Sequence, residues 1–95
     1  MKNIRHYSYG RYSSDNYGAH TLCFETPNAT YWFSYDTLVA FEILGEFHIS
    51  KNYWGPTTGK HLNWINSNKA IREDMEMFEE NFERLNNFLN YEEAC

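Results

Sequence analysis

From Ala19 to Glu25 the side chains alternate, with Leu22 and Phe24 on one face and Thr21, Cys23 and Glu25 on the other, the period of two that marks a half-buried strand. Thr26-Pro27-Asn28-Ala29 reads as a tight turn, and alternation resumes over Thr30 to Ser34, with Tyr31 and Phe33 opposite Trp32. Two such segments joined by so short a turn predict a hairpin. Ile4 to Tyr9 predicts an earlier strand, followed by a polar, glycine-containing loop over Arg11 to Gly18. After a turn at Tyr35-Asp36-Thr37, Leu38 to Ile43 predicts a strand with Val39, Phe41 and Ile43 on one side, and Gly45 leads into a further strand from Phe47 to Ser50.

The C-terminal segment changes period. Ile71, Met75, Phe78, Phe82, Leu85 and Leu89 form an apolar helical stripe, with Ser67 or Asn68 placed to cap the first turn and Glu73 and Asp74 near the positive end of the helix dipole. Met77 and Phe88 fall off this stripe, so they either pack at the margins of the core or allow a homodimer through the long helix. The predicted architecture is α+β: a four- to five-stranded antiparallel sheet, then a short helix, then one long amphipathic helix packed on the sheet. A single domain is expected, with the sheet in 1–50, a connecting turn and short helix in 51–66 and the long acidic helix in 67–92.

Ninety-five residues leave room for one core, and such a chain buries only about two-thirds of the surface that its unfolded form exposes. Seven Phe, eight Tyr and three Trp offset that limit, because each aromatic ring supplies much buried area from one position. No apolar run approaches the roughly 18 residues of a membrane span, and Met1 to His6 contains no secretion-type hydrophobic segment. A cytoplasmic location is expected, without membrane contact, and the glycosylation sequon Asn28-Ala29-Thr30 is discounted on that basis. Cys23, inside an alternating segment, and Cys95, at the end, read as free thiols.

Charge divides the chain. Lys2, Arg5, Arg11, Lys51 and Lys60 balance Asp15, Glu25, Asp36, Glu42 and Glu46, whereas from Ser67 onward eight carboxylates face only Lys69, Arg72 and Arg84. The whole net charge of −5 therefore lies in the C-terminal segment. Glu73, Asp74, Glu76, Glu79, Glu80 and Glu83 would repel nucleic-acid backbones and attract a basic protein surface, in the manner of a phosphate mimic; equally, they would make an ordinary solvated helix face.

Unusual residues are densest from Asn52 to Ile65. Gly55-Pro56-Thr57-Thr58-Gly59-Lys60 departs from a phosphate-binding loop in its glycine spacing, and His61 replaces the metal-binding hydroxyl, so nucleotide hydrolysis is rejected. Trp54, Thr57, Thr58, Lys60 and His61 remain a candidate anion or ligand turn, set against a rigid turn in which Trp54 and Trp64 pack on the sheet and the threonines cap a helix over Gly59 to Ile65. His6, His20, His48 and His61 lie on separate elements without metal-ligand spacing. No catalytic set, metal site or cofactor is expected, and an enzyme built around His61 and Lys60 ranks last.

Four stretches carry a family resemblance: Tyr7-Ser8-Tyr9-Gly10-Arg11-Tyr12, Tyr17-Gly18-Ala19-His20-Thr21-Leu22, Phe33-Ser34-Tyr35-Asp36-Thr37-Leu38-Val39-Ala40-Phe41 and Trp54-Gly55-Pro56-Thr57-Thr58-Gly59-Lys60-His61-Leu62-Asn63-Trp64-Ile65. Together they resemble a family of small domains of unknown function found in bacteriophages, plasmids and their bacterial hosts. The resemblance spans Tyr7 to Ile65, with the acidic helix outside it. It implies no catalytic residues. It implies a setting in which small proteins act by binding host machinery, with inhibitors of CRISPR nucleases as one form. The expected function is then a non-enzymatic anti-defence protein that contacts a basic host protein through its acidic helix and exposed aromatics. The alternative is a nucleic-acid or nucleotide-binding module in which Tyr31, Trp32, Tyr35 and Trp54 stack bases while Arg5, Arg11, Lys51 and Lys60 contact phosphates.

Overall fold

The computed structural model describes residues 4–9 and 21–94. The predicted loop over Arg11 to Gly18, together with His20 and Cys95, lies outside the described residues. Six strands form one sheet among the described residues, in sequence order: β1 (Arg5–Tyr7), β2 (Thr21–Thr26), β3 (Ala29–Ser34), β4 (Thr37–Ile43), β5 (Glu46–Ser50) and β6 (Arg72–Glu73). β1 to β5 pair antiparallel, and β6 joins β5 in parallel, so the sheet is mixed. Helix α1 (Pro56–Ile65) separates β5 from β6, and α2 (Met75–Ala94) ends the described chain.

Two-residue turns connect β2 through β5. At the first, Thr26 Oγ1 accepts from the Ala29 N–H at 3.1 Å. At the last, Leu44 and Gly45 both adopt positive φ, 53° and 86°, the pairing that matches a tight hairpin to the right-handed twist of its strands.

Register sorts side chains onto two faces. His6, Phe24, Tyr31, Phe41 and His48 lie opposite one another across β1 to β5, forming one row. Helix α2 covers the central part of that face: Phe78, Leu85 and Leu89 are buried with Ala29, Phe41 and Ile43, and Tyr31, Leu38, Met75 and Phe82 pack against them. The opposite face buries Val39, Ala40 and Ile49 beneath Leu62 of α1, with Trp32, Phe47 and Ile65 at the margins. Helices therefore cover both faces of the sheet.

Two expectations are corrected by this arrangement. Val39 does not share a face with Phe41 and Ile43: the register between β3 and β4 shifts between Trp32 and Phe33, leaving Val39 as the extra residue of a bulge and turning it to the α1 side with Ala40. In β2 the alternation holds, and at the start of the strand it is the Cys23 face that is covered, since Cys23 is fully buried and Leu22 is 37% exposed. The long helix begins at Met75, not near residue 67, because Lys69–Ile71 forms a 3₁₀ turn and Arg72–Glu73 is drawn into the sheet, where the Lys51 N–H donates to the Glu73 carbonyl at 2.8 Å. Asn68 caps that 3₁₀ turn, and Asp74 caps α2 by accepting from the Met77 N–H at 2.9 Å.

Met77 and Phe88 are exposed, so neither packs at the core margin. Cys23 is a free thiol, and burial raises its pKa above the usual thiol value. Among the described residues no helix is long and apolar enough to cross a membrane.

Candidate functional site

The segment from Asn52 to His61 splits into two structural roles. Asn52 folds the turn: its Oδ1 accepts from the N–H groups of Trp54 and Gly55, and its Nδ2 donates to the Gly55 carbonyl. Gly55 then precedes α1 with φ of 133° and ψ of −174°, a backbone conformation open almost only to glycine. A Cβ there would meet nothing within 4 Å, so the expected cost of Gly55→Ala, about 1–3 kcal/mol, is purely conformational. Thermal melts of the two proteins measure it.

The helix starts at Pro56, three residues before the predicted start at Gly59. Neither threonine supplies its cap, since no side-chain capping bond is present at Gly55. Thr58 turns inward: its hydroxyl bonds the Ser34 hydroxyl at 2.9 Å, and Ser34 in turn bonds His61 Nδ1 at 2.7 Å. All three residues are buried. Rings of Tyr9, Tyr35 and Trp64 surround the imidazole, with centroids 5.4 to 6.2 Å away. Thr58 and His61 thus tie α1 to the end of β3, while Thr57 and Lys60 are half-buried on the helix. The five residues of the candidate anion turn do not converge.

Trp54 goes elsewhere. The neighbouring Tyr53 accepts a hydrogen bond from the Met75 N–H at 3.1 Å and meets Trp54 edge to face, with ring centroids 5.8 Å apart. These contacts place the indole beside the first turn of α2. There it walls a groove of about 780 Å³ that also contains Thr37, Leu38, Met75, Phe78, Phe82 and Asn86, with Glu79 and Glu83 on its rim.

Of the six acidic residues singled out in the sequence, four come together: Glu76, Glu79, Glu80 and Glu83 line one shallow depression on the outer side of α2. Among the described residues none of the four forms an ion pair. Asp74 is occupied as the helix cap, and Glu73 faces inward from β6.

Glu73 belongs to a polar clasp that the sequence reading missed. His48 Nδ1 lies 2.5 Å from Glu73 Oε2, and His48 Nε2 lies 2.6 Å from Glu46 Oε2. Arg84 donates to the same Glu46 oxygen and to Asn81 Oδ1, and Asn81 donates to Glu73 Oε1 at 3.1 Å. β5, β6 and α2 are joined by this circuit. Carboxylates only accept, so both histidine bonds form when the ring carries both protons. Bonds from His48 and then Arg84 hold the Glu46 pKa below the usual carboxylate value. At the other end of the sheet, bonds from the Tyr7 hydroxyl and then Arg5 lower Glu25 likewise.

Both carboxyls have folded-state pKa values below their unfolded ones. Their contribution is present above the unfolded value, near 4.5, and is lost as pH falls through the lowered folded values. Melting temperature should therefore drop on acidification below about pH 4.5, and Glu46→Gln should make that drop shallower.

No metal-ligand role is open to the clasp while each imidazole nitrogen points at a carboxylate. Sequence signals did exist for the groove. Glu79 and Glu83 directly follow Phe78 and Phe82, so an acidic rim beside an apolar floor is implied by helical spacing. The partners Leu38 and Trp54, from distant segments, were not readable.

The fold and surface define a small α+β domain whose sheet is covered on both faces and whose longest helix shows an acidic outer side. The chain belongs to a family of unknown function, DUF8033, whose model matches residues 3–80. That match takes in the first turns of α2, so the acidic helix is not wholly outside the shared region as the motif resemblance implied. Neither the curated proteins nor the solved structures contain a match to this chain.

Proposed function

We propose that this protein is a non-enzymatic binding protein that presents the outer side of α2 to a basic surface of a partner protein. The observation that carries the reading is the cluster of Glu76, Glu79, Glu80 and Glu83, four carboxylates on one face without an internal ion-pair partner among the described residues, next to an apolar groove. Charge of one sign steers an oppositely charged partner, and neighbouring aromatic surface supplies the anchor that charge alone lacks. The resemblance to phage and plasmid domains adds the setting: the partner is a host protein, and inhibition of a nucleic-acid-processing defence enzyme is the form of action proposed. The exposed Met77 and Phe88 lie on the opposite flank of α2 from Glu79 and Glu83, and they support a homodimer contact that leaves the acidic side free.

The alternative, a nucleic-acid module, loses part of its stacking surface to the cores. Tyr31 meets Phe82 edge to face and Trp32 meets Phe47, so the protein itself uses those rings. Arg5 is paired with Glu25 at 2.8 Å.

A tagged pull-down from host lysate at low and moderate salt, with partners identified by mass spectrometry, tests the main reading. Reversal of Glu76, Glu79, Glu80 and Glu83 to Lys should weaken capture of a basic partner about tenfold or more, and salt should do the same. Capture that ignores both salt and reversal would remove the electrostatic reading.

A further inference from the structure

The groove beside α2 combines features that specify its occupant. Its apolar side chains come from three parts of the chain: Leu38 from β4, Trp54 from the turn before α1, and Met75, Phe78 and Phe82 from α2. Phe78 is buried, whereas Leu38, Met75 and Phe82 are only half-covered and keep apolar area facing the opening. Its volume, about 780 Å³, lies within the span of about 300–1,000 Å³ typical of binding clefts. The charged side chains on its edge are Glu79 and Glu83, one helical turn apart.

Among the described residues no ion pair joins a cation to either of them. The lining contains no Lys, Arg or His. The two arginines nearest in sequence are committed elsewhere, Arg72 to Asn63 and the Asn66 carbonyl, and Arg84 to Glu46 and Asn81. Helical geometry places Arg84 on the other flank of α2. The groove thus offers an apolar floor and an unanswered negative rim, repeated along the helix axis.

We infer that the groove binds a basic amphipathic helix of the partner protein, which seats an apolar side chain against Trp54 and Phe82 and sets lysines or arginines one turn apart against Glu79 and Glu83. This deepens the acidic-face reading and rests on it. Burial of the apolar anchor supplies affinity, and the rim fixes orientation. A second copy of this chain that docked through the outer side of its own α2 would bring Glu76 and Glu80 against the rim and meet it with like charge.

The probe is a synthetic helical peptide with leucines on one face and lysines flanking it, compared with two controls: serine in place of leucine, and glutamate in place of lysine. Binding is read by fluorescence anisotropy of the labelled peptide and by NMR shift changes in the protein. The Leu/Lys peptide should bind at least about tenfold more tightly than either control. Shift changes should centre on Leu38, Trp54 and Phe82. Trp54→Ala should weaken it about tenfold, and the exposed-site pair Glu79→Gln with Glu83→Gln, which leaves the core untouched, should do the same. Equal binding of the Ser/Lys peptide would overturn the groove while leaving the acidic face standing. Equal binding of the Leu/Glu peptide would overturn the charge requirement, and failure of every peptide would overturn both readings. Shift changes at the groove that grow with protein concentration alone would assign it to a second copy and overturn the inference.

Discussion

Phe41→Ala is expected to destabilise the protein by about 3–5 kcal/mol, the range for deleting a fully buried aromatic ring. Phe41 is completely buried at the centre of the row that crosses the sheet. Its ring lies 5.1 Å from that of Phe78, 5.2 Å from that of Phe82 and 5.3 Å from that of His48. The substitution therefore removes the partner of two α2 residues at once and opens a cavity between helix and sheet. Domains of this size are stable by about 5–15 kcal/mol, so the loss takes a large share of the total. Leu22→Ala in β2 makes the contrast, because its side chain is exposed on the same face, and a change of roughly 0.5 kcal/mol or less is expected. Urea titration of both variants measures the difference. A cost below about 1 kcal/mol for Phe41→Ala would mean that α2 does not depend on this ring for its docking.

The contrast between Phe41 and Leu22 also marks where sequence reading succeeds and where it stops. Alternation identified β2, β3 and the turn between them, because a two-residue hairpin fixes register locally. It could not say which face of β2 is covered, since that depends on how far α1 and α2 extend over the sheet. At Val39 the period itself breaks: a bulge adds one residue, and its cause lies in the pairing with Trp32 and Phe33, outside the segment. The apolar stripe from Met75 to Leu89 was legible because a helix repeats every few residues. Its start was not, because Arg72 and Glu73 leave the helical pattern to pair with Ile49 and Ser50. The same cause hid the clasp. Glu73 reads as one more helix acid until β6 turns it toward His48.

His61→Ala is expected to cost about 3 kcal/mol, combining the cavity left by a buried ring with the loss of its bond to Ser34. His61 is fully buried, and its Nδ1 lies 2.7 Å from the Ser34 hydroxyl, which is itself 2.9 Å from that of Thr58. Ser34→Ala should cost about 1–3 kcal/mol, since it leaves His61 and Thr58 without a shared buried partner. Thr57→Val, one position from Thr58 but outside the network, should stay within roughly 0.5 kcal/mol. A double-mutant cycle between Ser34 and His61 should return a coupling of about 0.5–3 kcal/mol. These outcomes separate two roles for the same residues. If Thr58 and His61 hold α1 against β3, the costs appear in unfolding experiments on the isolated protein. If they served an anion, both substitutions would leave stability nearly unchanged, and added inorganic phosphate would raise the melting temperature of the wild-type protein but not of His61→Ala. The inward direction of both side chains favours the first result, and with it a division of labour in which this segment keeps the two layers in register and lends only Trp54 to the binding surface.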